Sequence, residues 1–111
     1  MSDDPRLSAY RSKARVAEEV FAAHEESEFH VRAHRDRMLA AWVSHLLNHD
    51  HQAAHDYHQA LISADLSHID PSAIAERLAQ DLTDAGYAMD DVHLREVIDR
   101  CELEARLEVE S

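Results

Sequence analysis

Between residues 45 and 58 the stretch HLLNHDHQAAHDYH holds five of the chain's ten histidines. Imidazoles at four-residue spacing are read first as metal ligands or proton carriers. At about 100° per helical residue, His51, His55 and His58 fall within a stripe about 60° wide, so that His51 and His55 could grip one divalent ion. The context argues the other way. The chain has neither the H-E-x-x-H of zincins nor the Glu-x-x-His pairs of carboxylate di-iron bundles. The stripe also lies about 120° from the face that carries Ala54, Tyr57 and Leu61, so it reads as a flank without buried supporting ligands. His30 with His34 and His45 with His49 repeat the same spacing, which enrichment in histidine alone generates.

A second cluster is basic. Arg32, Arg35 and Arg37, with His30 and His34 among them, form the densest positive segment of the chain. Guanidinium groups bind phosphate bidentately, so one reading is a weak ADP or ATP contact. The competing reading is a solvated helix face whose arginines pair with Asp36 and nearby acids, and no glycine-rich phosphate loop is present. Cys101 is the only cysteine and lies on an apolar helix face, which excludes a thiolate metal cage and favours a buried, inert thiol. With no strained nucleophile turn and no oxyanion loop, the chain reads as a protein that is not an enzyme and requires no cofactor.

The elements that carry these residues are helical. A length of 111 residues suits one core, and the single Gly, two Pro and 5% aromatic content leave little for a sheet protein. With 11 Lys plus Arg against 23 Asp plus Glu, the net charge of −12 makes nucleic acid and anionic membranes poor partners. Protonating all ten histidines would bring the charge to −2, so charge is unusually sensitive to mild acidification. The first residues lack a basic and apolar leader, and no apolar run approaches the ~20 residues of a membrane span. The expected location is cytoplasmic, without direct membrane insertion.

No helix breaker interrupts Leu7 to Leu47, which gives one long helix or two in line with a junction at His24 to Ser27. Met38, Leu39, Trp42, Val43 and Leu46 share one face of it. Asp50 caps a second helix with Tyr57 and Leu61 on its apolar stripe. Asp70 and Pro71 open a third, which carries Ile74, Leu78 and Leu82 and ends at Gly86. Asp90 restarts the chain into a last helix with Leu94, Val97, Ile98, Cys101 and Ala105 on one face. Leu103, Leu107 and Val109 lie off that face, where they would cover a neighbouring groove. Short connectors make consecutive helices antiparallel neighbours, so the expected fold is an all-α four-helix bundle over residues 20–111. Residues 1–19 are polar and weakly amphipathic and read as an N-terminal arm, helical or partly disordered.

The stretch FHVRAHRDRMLAAWVSHLL, residues 29–47, resembles the ATPase inhibitor zeta subunits of the alphaproteobacterial F-type ATP synthase, whose hallmark runs approximately F-K-x-x-A-R-R-N-K-L-L-G-x-W-A-A-x-L-L. Phe29, Ala33, Arg35, Leu39, Trp42, Leu46 and Leu47 match it directly. Downstream, Tyr57, Leu61, Ile62 and Asp65, and then Ile74, Arg77, Leu78, Asp81 and Leu82, keep the same register without a gap. The resemblance implies a four-helix bundle, in agreement with the periodicity, and the two readings together put Phe29, Met38, Leu39, Trp42, Leu46, Tyr57, Leu61, Ile74, Leu78, Leu82, Leu94 and Ile98 in its core.

It also implies a regulatory inhibitor subunit whose N-terminal arm inserts between the catalytic α and β subunits, beside γ, and blocks rotation in the hydrolytic direction. That is helix-in-groove recognition, and it places the protein at the inner membrane only through the synthase. In the arm, Tyr10, Lys13, Arg15, Glu18, Phe21, Ala22 and Glu26 keep the family's residue character and are the expected partner-binding positions. Arg11 and Ser12 stand where the family has acids, and Val20 stands where it has lysine. Like-charge contacts at an interface cost several kcal/mol, so the arm also fits a weakly inhibitory or non-inhibitory paralogue. The alternative from a different class is a small nucleotide-binding or divalent-metal-binding helical module.

Overall fold

Pro5 begins the first helix, where its missing N–H costs nothing because first-turn donors have no intrahelical acceptor. The structure is a computed structural model; it describes the backbone of residues 5–66 and 72–110 and the side chains of residues 25–65 and 72–110. Helix α1 spans Pro5–Leu46, α2 His51–Leu66, α3 Ala73–Asp84 and α4 Asp91–Glu110. Among the described residues the architecture is all-α with four helices. Residues 24–27 are helical, so α1 has no junction there. His24, Glu25, Glu26 and Ser27 include neither Gly nor Pro, and nothing in them breaks the backbone ladder.

The corners follow from local chemistry. After α1, the Asn48 N–H donates to His45 O at 3.3 Å and the His49 N–H to Ser44 O at 2.9 Å. Asn48 takes φ 55, the left-handed conformation that Asn tolerates at this position of a Schellman cap. Asp50 then caps α2, its Oδ1 accepting the Ala53 N–H at 2.8 Å. The end of α3 repeats the Schellman pattern, with Gly86 N–H to Thr83 O at 2.9 Å and Tyr87 N–H to Leu82 O at 2.8 Å. Gly86 has φ 76, which explains the residue type. Asp90 Oδ1 accepts the Val92 N–H at 3.4 Å at the start of α4. The expected cap at Asp70 and Pro71 lies outside the described residues, and Ser72 precedes α3 without a side-chain cap bond.

By contact the chain forms two units, Met1–His30 and Val31–Ser111. In the second, the core consists of Leu39, Ala40 and Val43 of α1, Leu61 of α2, Ile74, Leu78 and Leu82 of α3, and Leu94 and Ile98 of α4. Each fully buried leucine contributes about 1.5–3 kcal/mol relative to an exposed one. Trp42, Leu46 and Tyr57 pack against this cluster while half-buried. Met38 is half-buried outside it, turned about 100° from Leu39.

Two expectations are corrected. Phe29 is 49% exposed rather than in the core; it belongs to the first unit, before the first buried residue among those described, Val31, and packs edge-on against His30 with centroids 5.9 Å apart. Leu103 and Leu107 are exposed and cover no groove, because they lie off the face on which Leu94, Ile98 and Ala105 are buried.

Candidate functional site

Arg35 is the centre of the polar interior. Leu39, Ala40 and Val43 make the inner face of α1, and Asp36 lies on that face one turn earlier, so it is carried into the core. One turn beyond Leu61 on α2, Asp65 is carried in the same way. Asp36 is 0% exposed, Asp65 4% and Arg35 6%. The Arg35 Nε donates to Asp36 Oδ1 at 3.1 Å and Nη2 to Asp65 Oδ2 at 3.1 Å. Arg32 Nη2 donates to the Asp65 backbone O at 3.0 Å and lies 3.4 Å from Asp65 Oδ1. The two arginines thus fasten α1 to the last turns of α2.

Asp36 Oδ2 is buried without a donor, although the Asp65 carboxyl stands within hydrogen-bonding reach of Asp36. Two carboxylate oxygens cannot bond without a proton between them. Burial, with that bond to Asp65 and against the pull of Arg35, pushes Asp36 up to about 8. On Asp65 burial also acts upward, but the bond from Asp36 and the charges of Arg35 and Arg32 outweigh it and hold the carboxyl below its usual range. At neutral pH the pair therefore holds one proton, mainly on Asp36, and titrates as a unit.

A second polar tie joins α2 to α3. Tyr57 Oη donates to Asp81 Oδ2 at 2.8 Å, and Arg77 Nε donates to both Asp81 oxygens at 3.1 and 2.9 Å. Burial first, then the Asp81 carboxylate, raises the phenol above its ordinary range. Tyr57→Phe is expected to cost about 1.5–3 kcal/mol, the range for a hydrogen bond to a charged acceptor, and urea unfolding beside the parent chain measures it. Between α2 and α3 lies a cavity of about 420 Å³, lined by Leu61, Asp65, Ile74, Glu76, Arg77 and Gln80 among others.

The three arginines do not converge. Arg32 and Arg35 are engaged by Asp65 and Asp36, whereas Arg37 is exposed on another side of α1. There it shares a cavity of about 230 Å³ with Ala41 and Ser44 and with His51, Ala54, His55 and His58 of α2. His51 and His55 are exposed and His58 half-buried. Among the described residues no group of three or more His, Cys, Asp or Glu side chains is placed to hold a metal. His34 pairs with Glu108 of α4, and His49 Nδ1 meets Ser44 Oγ at 3.0 Å. Cys101 is a free thiol packed against the core, raised by burial and by Glu104, with Arg100 and Arg35 opposing.

A family model described as ATPase inhibitor subunit zeta matches residues 8–108. The chain belongs to that family. The match covers most of α1 together with all of the bundle helices up to the last turn of α4, so the zeta assignment does not rest on the Trp42 motif alone. Searches of curated proteins and of solved structures give no match. An inhibitor subunit acts on an ATPase complex by binding, and the described part of this zeta chain contains no helix long and apolar enough to cross a membrane.

Of the arm positions, Tyr10, Lys13, Arg15, Glu18, Phe21 and Ala22 lie on the backbone of α1, with side chains outside the described residues. Glu26 is exposed and stands 3.7 Å from His30. Sequence reasoning passed over Asp36 and Asp65 as polar interior residues. The available signal was their phase: each is an acid on the apolar stripe of its own helix.

Proposed function

We propose that this zeta-family chain restrains ATP hydrolysis by an F-type ATP synthase. In this reading the bundle is a rigid base, and residues 1–19 are the segment offered to the catalytic head, between α and β subunits and beside γ. The chain works on the cytoplasmic side and reaches the membrane only through the synthase. The observation that carries the reading is the extent of the family match, residues 8–108, which takes in arm positions from Tyr10 to Glu26 as well as the bundle. Inhibition of this kind asks for a helix fitted to a groove and needs no chemistry from the inhibitor.

Arg11, Ser12 and Val20 set the strength of the arm. Charge reversal at an interface position weakens docking, so the natural chain is a weak inhibitor that gains potency when acids are restored at 11 and 12. The test is steady-state hydrolysis by the cognate soluble ATPase with added full-length chain. The expected result is partial inhibition, deeper inhibition by Arg11→Asp with Ser12→Glu, and none by a chain lacking residues 1–19. Equal rates with and without both full-length forms would overturn the inhibitory reading, and inhibition retained after truncation would remove the arm from it.

A further inference from the structure

We propose that Arg37, with His51, His55 and His58, forms a binding site for a small tetrahedral oxyanion of the phosphate class. The inference is independent of the inhibitory reading, since none of these residues belongs to the arm. The wall of the 230 Å³ cavity has one guanidinium, three imidazoles and the Ser44 hydroxyl, and no carboxylate. In a chain with 23 acids against 11 Lys plus Arg, that is a local reversal of sign. Arg32, Arg35, Arg77 and Arg106 each meet a carboxylate, whereas Arg37, like Arg95 and Arg100 of α4, meets none among the described residues, and of these three it alone lines the cavity with the histidines. A guanidinium fork without an acid beside imidazole N–H donors is suited to an oxyanion.

The same arrangement disfavours a metal. Ligand histidines must be neutral, and a divalent cation among them would sit against the fixed charge of Arg37. The space is ample, since one water occupies about 30 Å³ in the liquid. His58 shows the local field: its Nε2 is buried without a partner, and burial, Arg37 and His55 together hold its basicity down. An anion among these groups relieves that repulsion and so draws protons to the site. The nearest acids of α2 are turned to other work, Asp50 capping Ala53 and Asp56 accepting from Gln52 at 2.9 Å. His49, at the corner, is bound to Ser44.

The test is an NMR titration of the full chain with sodium sulfate, whose charge is constant over the range, at about pH 6 and about pH 8, against sodium chloride at equal ionic strength. Saturable shifts confined to Arg37, His51, His55, His58 and their neighbours are expected, several-fold tighter at the lower pH. Arg37→Gln, an exposed and fold-neutral change, should abolish saturation, and His55→Gln should weaken it. Inorganic phosphate binding more tightly than methyl phosphate marks the free ion as the ligand; the reverse marks a phosphoryl group on a larger molecule. Shifts that follow chloride in size and linearity, or saturation unchanged in Arg37→Gln, overturn the proposal.

Discussion

Arg35→Ala is expected to destabilise the bundle by about 3–5 kcal/mol, the range for removing one partner of a buried ion pair. Small domains are stable by only about 5–15 kcal/mol in all, so the variant should be partly unfolded at ambient temperature or melt more than about 10 °C below the parent. The reason is what it leaves behind: Asp36 and Asp65, 0% and 4% exposed, lose the guanidinium that bonds both at 3.1 Å. Arg32 is engaged by Asp65 and is not a substitute for the Asp36 contact. Because the abandoned carboxyls escape part of the cost by taking up protons, the deficit should be larger near pH 8 than near pH 5. Thermal and urea unfolding followed by circular dichroism at both pH values decide the matter. A melting temperature within a few degrees of the parent at pH 8 would show that Arg35 does not compensate these acids.

The parent chain's own pH profile should carry the signature of Asp36. Its folded pKa of about 8 stands above the unfolded value of 3.8, so between those limits the folded chain holds a proton that the unfolded chain has released. Stability then falls as pH rises through that window, by at most about 1.4 kcal/mol per pH unit for one proton. Asp65 works in the opposite direction: its lowered pKa gives stability that is present above the ordinary carboxylate value and is lost in stronger acid.

Asp36→Asn separates the Asp36 contribution from everything else that titrates. The amide keeps the shape, its oxygen accepts from Arg35 Nε, and its N–H₂ donates to Asp65 where the proton was. The zeta hallmark has Asn at this register, which is the residue a protonated aspartate imitates. Unfolding free energies of the two chains at pH 5, 7 and 9 are expected to diverge steadily, with the variant gaining on the parent as pH rises. The ten histidines contribute to both curves and cancel in the difference. Parallel curves would remove the shared proton.

Much of the fold is legible in the sequence because it depends on phase. The three- and four-residue steps of Leu39, Val43, Ile74, Leu78, Leu82, Leu94 and Ile98 state a buried face regardless of partner, and all seven are buried. Asp50 and Gly86 are legible for a different reason, since caps are settled within a few residues of chain. Phe29 misled because periodicity tells which side of a helix is apolar and not where along the helix packing begins.

The polar interior was harder to read for a reason of distance. Arg35 and Asp36 are adjacent, and alone they resemble any surface ion pair. Their burial depends on Asp65, 30 residues away along the chain, and on α2 bringing it within 3.1 Å. Arg37 shows the converse. Sequence spacing groups it with Arg32 and Arg35, but 200° of helical rotation separates two residues two apart, roughly the far side of the cylinder. The histidines are legible as a stripe, but the presence of Arg37 in the same wall depends on how α1 and α2 pack.

The carboxyl pair makes the hydrogen ion a reactant in folding. A species bound by the native chain and released on unfolding stabilises by mass action, as any specific ligand does, in proportion to the logarithm of its concentration. Here the ligand is held between a residue of α1 and a residue of α2, so whatever parts those helices must also give the proton back to water. Proton activity thus serves as a concentration axis along which the closed bundle is titrated.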